Sequence, residues 1–213
     1  MEWHAGGEAV MGIKLIAELG FWREELARYQ RWFNGGLVLH GQPRPEPGKY
    51  LDAATAWKKE YQEPLYLDQL MLKEDELVGL EVLEIGSGPV SGMGVFKGAH
   101  VMAVDPLAYE YAGIGFDIDL RTMKAGIEDL PFGKNSFDVV IAVNSLDHVD
   151  DVEAAAKEIL RVLRSGGKMA FAVDHHPSRL CEPMELTDTH MKRLFPGIKK
   201  LRQVGERALW RNF

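Results

Sequence analysis

Apolar and polar positions change period along this chain. Between about Glu8 and Phe33 the residues Leu15, Leu19, Trp22, Leu26, Tyr29 and Phe33 recur every three or four places. That spacing puts them on one helical face, so one or two amphipathic helices are expected. Asn34-Gly35-Gly36 ends them, and GQPRPEPG over 41–48 holds too much proline for helix or strand. Residues 57–77 return to helical spacing, with a break expected at Pro64. Beyond Leu80 the pattern becomes short, continuous apolar runs, the mark of strands buried on both faces. These runs predict strands at 82–86, 100–105, about 124–127, 137–143 and 168–174, with helices near 91–97 and 151–164 between them. The second helix starts at the acids Asp150 and Asp151 and stops at Ser165-Gly166-Gly167. A last helix is expected from a Thr187 or Asp188 cap to Phe195. Lys200–Val204 and Ala208–Phe213, joined at Gly205-Glu206, read as an antiparallel closing hairpin.

Composition narrows the class. With 213 residues, 46% hydrophobic and 27% charged, the chain has the make-up of an ordinary globular protein. A formal net charge of −7 argues against a nucleic-acid groove, which needs clustered cations. The basic stretch formed by Lys192, Arg193, Lys199, Lys200 and Arg202 reads as a solvated face. Cys181 is the single cysteine and cannot form an intramolecular disulfide, which suits a reducing cytoplasm. No apolar run approaches a membrane span, and the acids Glu2 and Glu8 do not suit a secretory leader. The expectation is a cytoplasmic protein with a small-molecule partner, no nucleic acid, no membrane, and an oligomeric state left open.

The strand ends carry the chemistry. VLEIGSGPVSGMG, residues 82–94, runs from an apolar strand through Glu84 into a glycine-rich turn, and VMAVDP, residues 101–106, ends a second strand at Asp105. Asp105 lies 19 positions after Gly86, close to the roughly 20 expected where a carboxylate grips a ribose. Gly86 and Gly88, with Ser87 between them, let a ligand approach bare backbone. A dinucleotide turn would place a third glycine at Ser91, and Glu84 would repel a diphosphate. A cofactor bearing a sulfonium and an α-amino group suits Glu84 better, so S-adenosylmethionine is favoured over NAD.

Further runs fall in the same order. They are IEDLPFGKNSFDVVI from Ile127, NSLDHVDD at 144–151 and ILRVLRSGGK at 159–168. Together with the glycine turn, the segment from about Leu80 to Lys168 resembles a class I S-adenosylmethionine-dependent methyltransferase of the broad small-molecule group. The resemblance implies a Rossmann-like α/β fold with a mostly parallel seven-stranded sheet and an antiparallel C-terminal hairpin. Residues 79–213 would form that core and 1–78 a helical N-terminal cap. It also implies cofactor contacts at Glu84, Gly86, Ser87, Gly88, Asp105, Pro106, Ile127, Glu128 and Asn144. Two departures stand out: Val90, after Pro89, replaces the third glycine of E-x-G-x-G, and Gly126 stands where an acid often meets the adenine amino group.

Methyl transfer to a hydroxyl needs a base, and His148, His175 and His176 follow the fourth and fifth strands next to Asp147 and Asp174. These three histidines are the catalytic candidates. Asp147, Asp174 and His175 could together chelate a divalent cation, but no ligand spacing demands one and no metal site is assigned. The favoured reaction is methylation of a hydroxyl on a metabolite or saccharide unit. The alternative is a non-catalytic module of the same fold that binds the nucleoside or a protein partner.

Overall fold

A computed structural model describes residues 4–119 and 121–213, with the side chains of residues 4–11 and Met93 left aside. Glu2 and the Glu8 side chain, on which the leader expectation rests, lie outside the described residues. One helix, α1 (His4–Phe33), takes the place of the expected one or two. After the proline-rich loop come α2 (Ala53–Trp57), a π-helical turn at Lys58–Gln62 and α3 (Glu63–Leu70). The wide turn has a local cause. Pro64 has no N–H to donate and its ring crowds the carbonyl a turn earlier, so the preceding backbone opens to π geometry and the helix continues.

The sheet contains β1 (Glu81–Ile85), β2 (His100–Asp105), β3 (Thr122–Lys124), β4 (Phe137–Val143), β5 (Leu163–Asp174), β6 (Lys199–Val204) and β7 (Arg207–Arg211). Their order is β3-β2-β1-β4-β5-β7-β6, parallel through β5 and antiparallel at β7 and β6. Helices α4 (Ala108–Gly113), α5 (Val152–Val162) and α6 (Asp188–Leu194) complete the fold. The expected seven-stranded Rossmann-like sheet with its closing hairpin is present. The expected helix at 91–97 is not: only a 3-10 turn at Met93–Val95 forms there, because glycines and Pro89 disfavour helix and the next strand begins soon after.

Two cores flank the sheet. On one face α5 and α6 cover Leu83, Ile85, Val140, Phe171 and Trp210. On the other, Tyr66 and Leu70 of α3, with Leu72 and Leu77, cover Val82, Ala103, Val139 and Ile141. The N-terminal segment thus shares a core with the sheet and fills space left by the missing helix. A third cluster joins α1 and α2 to α4 and the loop after it through Tyr29, Trp32, Trp57, Tyr111 and Phe116. Its rings interlock, with Tyr29 stacked on Trp57 at 5.0 Å and Trp32 edge-on to Trp57 at 5.4 Å. Trp32 also donates to the carbonyls of Gln42 and Pro43, which holds the proline-rich loop on the helix.

In the basic C-terminal stretch, Arg193, Lys200 and Arg202 pair with Glu153, Asp188 and Asp68. Trp210 is fully buried in β7. Among the described residues no helix is long and apolar enough to cross a membrane.

Candidate active site

Ligand crevices in parallel sheets open at the carboxyl ends of the strands, where β1 and β2 deliver Glu84 and Asp105. Glu84 pairs with Ala103, and side chains alternate along a strand, so Glu84 and Asp105 stand on the same face, the one covered by α3. The turn after β1 runs between them with its amides turned to both acids. Gly88 N donates to Asp105 Oδ2 at 2.8 Å, and Gly92 N donates to Glu84 Oε1 at 3.2 Å. Tyr66 Oη and Ser91 Oγ add bonds to Glu84 at 2.8 and 2.5 Å, and Leu107 N adds one to Asp105 at 2.8 Å.

The turn holds this shape because Gly86 and Gly88 adopt φ of +61° and +58°. A Cβ at Gly86 would lie 2.2 Å from Ser145 Cβ, and Ser145 Oγ in turn donates to Ile85 O, locking β4's end to the turn. Ser87 N and Gly86 N both donate to Val104 O. Burial raises both acids: the Asp105 carboxyl is pushed up to about 6 against the pull of its two amides, and Glu84 is raised by desolvation against Ser91, Tyr66 and Gly92.

The remaining expected contacts are dispersed around this pair. Pro106 is exposed after β2, and Ile127 is buried in the α5-side core. Glu128 accepts from Asp150 N at 2.9 Å, which ties the β3–β4 connection to the start of α5. Asn144, at φ +52°, accepts from Arg207, which also forms a two-bond pair with Asp174. Asp174 is therefore paired with Arg207 and stands outside the cluster of Asp147, His148 and Glu182.

The three histidines differ in setting. His175 Nδ1 bonds the Leu186 carbonyl, its Nε2 is buried 3.8 Å from Asp188 Oδ1, and the residue lines a cavity of about 300 Å³ together with Glu185, Thr187, Asp188 and Gln203. His176 is wholly enclosed, between Asp147 and Glu182. His148 is partly exposed beside Glu182. Glu182 carries no signal in the sequence beyond being one of two acids, with Glu185, in the long connection after the paired histidines.

Helix α1 lies across this end of the sheet. Lys14 bonds the His148 carbonyl and Asp150, Glu18 faces Asp105 closely enough to raise it, and Trp22 stands 3.5 Å from where a Gly88 Cβ would be. Trp22 meets Tyr111 and Phe116 edge-on and donates to Glu18. A second cavity, about 280 Å³, lies between α2, the turn and the loop at 116–122. Lys58, Lys59 and Arg121 border it, and Arg121 is held by Asp119.

Residues 83–171 match a family described as a methyltransferase domain. The match bears out the resemblance of this segment to class I S-adenosylmethionine-dependent methyltransferases. A sterol 24-C-methyltransferase of Gibberella zeae is 34% identical over 99 residues, 42% of this chain and 26% of that protein. A methyltransferase of Mycobacterium sp. (strain KMS) of uncharacterised activity is 35% identical over 92 residues, 42% of this chain and 36% of that protein. The chain thus spans about a quarter to a third of the length of these curated relatives. The solved structure of the Bacillus subtilis YcgJ protein shares the fold at a TM-score of 0.51 and 19% identity, over 67% of this chain and 70% of that one. The cofactor implied for the methyltransferase domain is S-adenosylmethionine. The residues fit it chemically: two same-face carboxylates await a cationic methionine end and a ribose, and the bare backbone of Gly88 is screened only by the side chain of Trp22.

Proposed function

We propose that this chain transfers the S-methyl group of S-adenosylmethionine to a hydroxyl of a small metabolite or saccharide unit in the cytosol. The observation that carries the reading is the shared turn, whose Gly88 and Gly92 amides hold Asp105 and Glu84 on one face. In this reading Glu84 binds the methionine amino end and Asp105 the ribose hydroxyls. Gly86, Ser87 and Gly88 allow the backbone approach, Pro106, Ile127 and Glu128 border the adenine, and Asn144 closes the side toward β4. When bound, the cofactor supplies a carbon activated by its sulfonium, which leaves the protein to align the acceptor and remove a proton.

His175 is assigned the proton. Its Nδ1 hydrogen is committed to the Leu186 carbonyl, so the neutral ring keeps a lone pair on its buried, unbonded Nε2, in a residue that lines the 300 Å³ cavity. A polar acceptor is favoured because Glu185, Thr187, Asp188 and Gln203 border the cavity that His175 lines. Incubation with methyl-labelled cofactor and panels of phenols, saccharides and sterols tests the acceptor class. His175→Ala should lower kcat by about 100-fold with cofactor binding unchanged. An undiminished rate removes the assignment.

A second reading, a non-catalytic nucleoside-binding module, is favoured by Trp22 lying over Gly88 and by the near-complete burial of both acids. Cofactor binding with no turnover on any acceptor would select it.

A further inference from the structure

Four metal-ligating side chains converge beside the glycine turn. Asp147 and His148 stand after β4, His176 after β5, and Glu182 in the connection to α6. His176 Nε2 lies 3.1 Å from Asp147 Oδ2 and 3.2 Å from Glu182 Oε2, and His148 Nε2 lies 3.7 Å from Glu182 Oε1. One donor atom from each of Asp147, His148 and Glu182 can be chosen so that all lie within 4.8 Å of one another.

The hydrogen on His176 is fixed by its surroundings. Its Nδ1 is 2.7 Å from the Pro177 carbonyl, which only accepts, so Nδ1 carries the hydrogen and the neutral ring aims a lone pair at two carboxylates. Asp147 is fully buried, and its Oδ1 and the His148 Nε2 have no hydrogen-bond partner. Arg179 reaches Glu182 at 3.2 Å, while Lys14 is spent on the His148 carbonyl and Asp150. Among the described residues no lysine or arginine pairs with Asp147.

Lone pairs crowded away from water need a positive centre. A proton on His176 is one solution, but it leaves Asp147 Oδ1 and His148 Nε2 without partners. A zinc-class ion takes carboxylate oxygen and imidazole nitrogen donors of this kind. We propose that Asp147, His148 and Glu182, whose donor atoms can be chosen within 4.8 Å of one another, bind one divalent transition-metal ion of the zinc class, with His176 bonded to Asp147 Oδ2 behind it. An imidazole with two carboxylates suits such an ion better than calcium or magnesium. The ion would pin the connection between β5 and α6 to the loop after β4. Its open edge faces His148 and Glu182, whose side chains are 27% and 18% exposed. The site stands whether or not methyl transfer is the activity.

The test uses the full chain stripped with a chelator and titrated with Zn²⁺ against a chromophoric competitor, then with Co²⁺ followed by visible absorption. One equivalent of Zn²⁺ and the intense absorption of tetrahedral cobalt are expected. Asp147 and His176 are wholly enclosed, so the variants are His148→Gln and Glu182→Gln, checked for fold by circular dichroism. Each should bind Zn²⁺ at least about tenfold more weakly. Failure of the wild type to draw Zn²⁺ from the competitor overturns the proposal, as does wild-type affinity in both variants.

Discussion

Single atoms decide whether the glycine turn survives substitution. Gly86→Ala combines a left-handed backbone with a Cβ placed 2.2 Å from Ser145 Cβ, so it should destabilise the fold by about 3 kcal/mol in urea denaturation. An unchanged midpoint would show that the turn is not held as described. Asp105 supplies a pH signature. Its carboxyl is raised from 3.8 to about 6 by burial and by Glu18 of α1, opposed by the Leu107 and Gly88 amides and by His148. A group raised on folding favours its protonated form, so its stabilising contribution is complete below the unfolded value and lost as pH climbs through about 6. At about 1.4 kcal/mol per unit that loss is roughly 3 kcal/mol at most. Wild type should therefore lose stability relative to Asp105→Asn between pH 4 and 7, measured by urea midpoints, and parallel curves would refute it. Both acids and the glycines were legible as single letters with meaningful spacing. Tyr66 and Ser91 as partners of Glu84 were not, because a hydrogen bond between positions 66 and 84 leaves no periodic trace.

At the scale of elements, α1 packs against the end of the sheet that holds the crevice. Its inner face reaches the β4 loop through Lys14 and the turn through Trp22, and Asn34-Gly35-Gly36 at its end, with Gly35 at φ +80°, offers a place to bend. A cover that must lift reduces apparent affinity by the fraction of molecules already open. Trp22→Ala should therefore tighten S-adenosylmethionine binding several-fold while leaving the strands protected in hydrogen exchange. Weaker binding would mean that the ring belongs to the ligand's own contacts. The strands, α5 and α6 followed from apolar runs and caps: Asp151 accepts from Ala154 N, and Thr187 and His190 form a reciprocal cap. The 91–97 helix failed because glycine content and Pro89 outweighed the apolar letters. Its space was taken by α3, a tertiary substitution that no local pattern announces.

Across the whole molecule, three clusters are stitched by long-range polar ties, with buried Arg211 of β7 reaching Glu76 and the carbonyls at the end of α3. The sheet order and the apolar runs made the overall architecture readable, since parallel strands buried on both faces have few alternatives. The cluster of Asp147, His148, His176 and Glu182 was less readable because its residues come from the loops after β4 and β5, brought together only by folding. The claim on which the rest depends is that one turn presents Glu84 and Asp105 to a cationic nucleoside. Isothermal titration of the full chain with S-adenosylmethionine, alongside Asp105→Ala of confirmed fold, tests it most directly. One-to-one binding that weakens by about tenfold or more in the variant, about 1.4 kcal/mol, is the predicted result. No binding heat from the wild type up to millimolar ligand, or equal affinity in the variant, would contradict it.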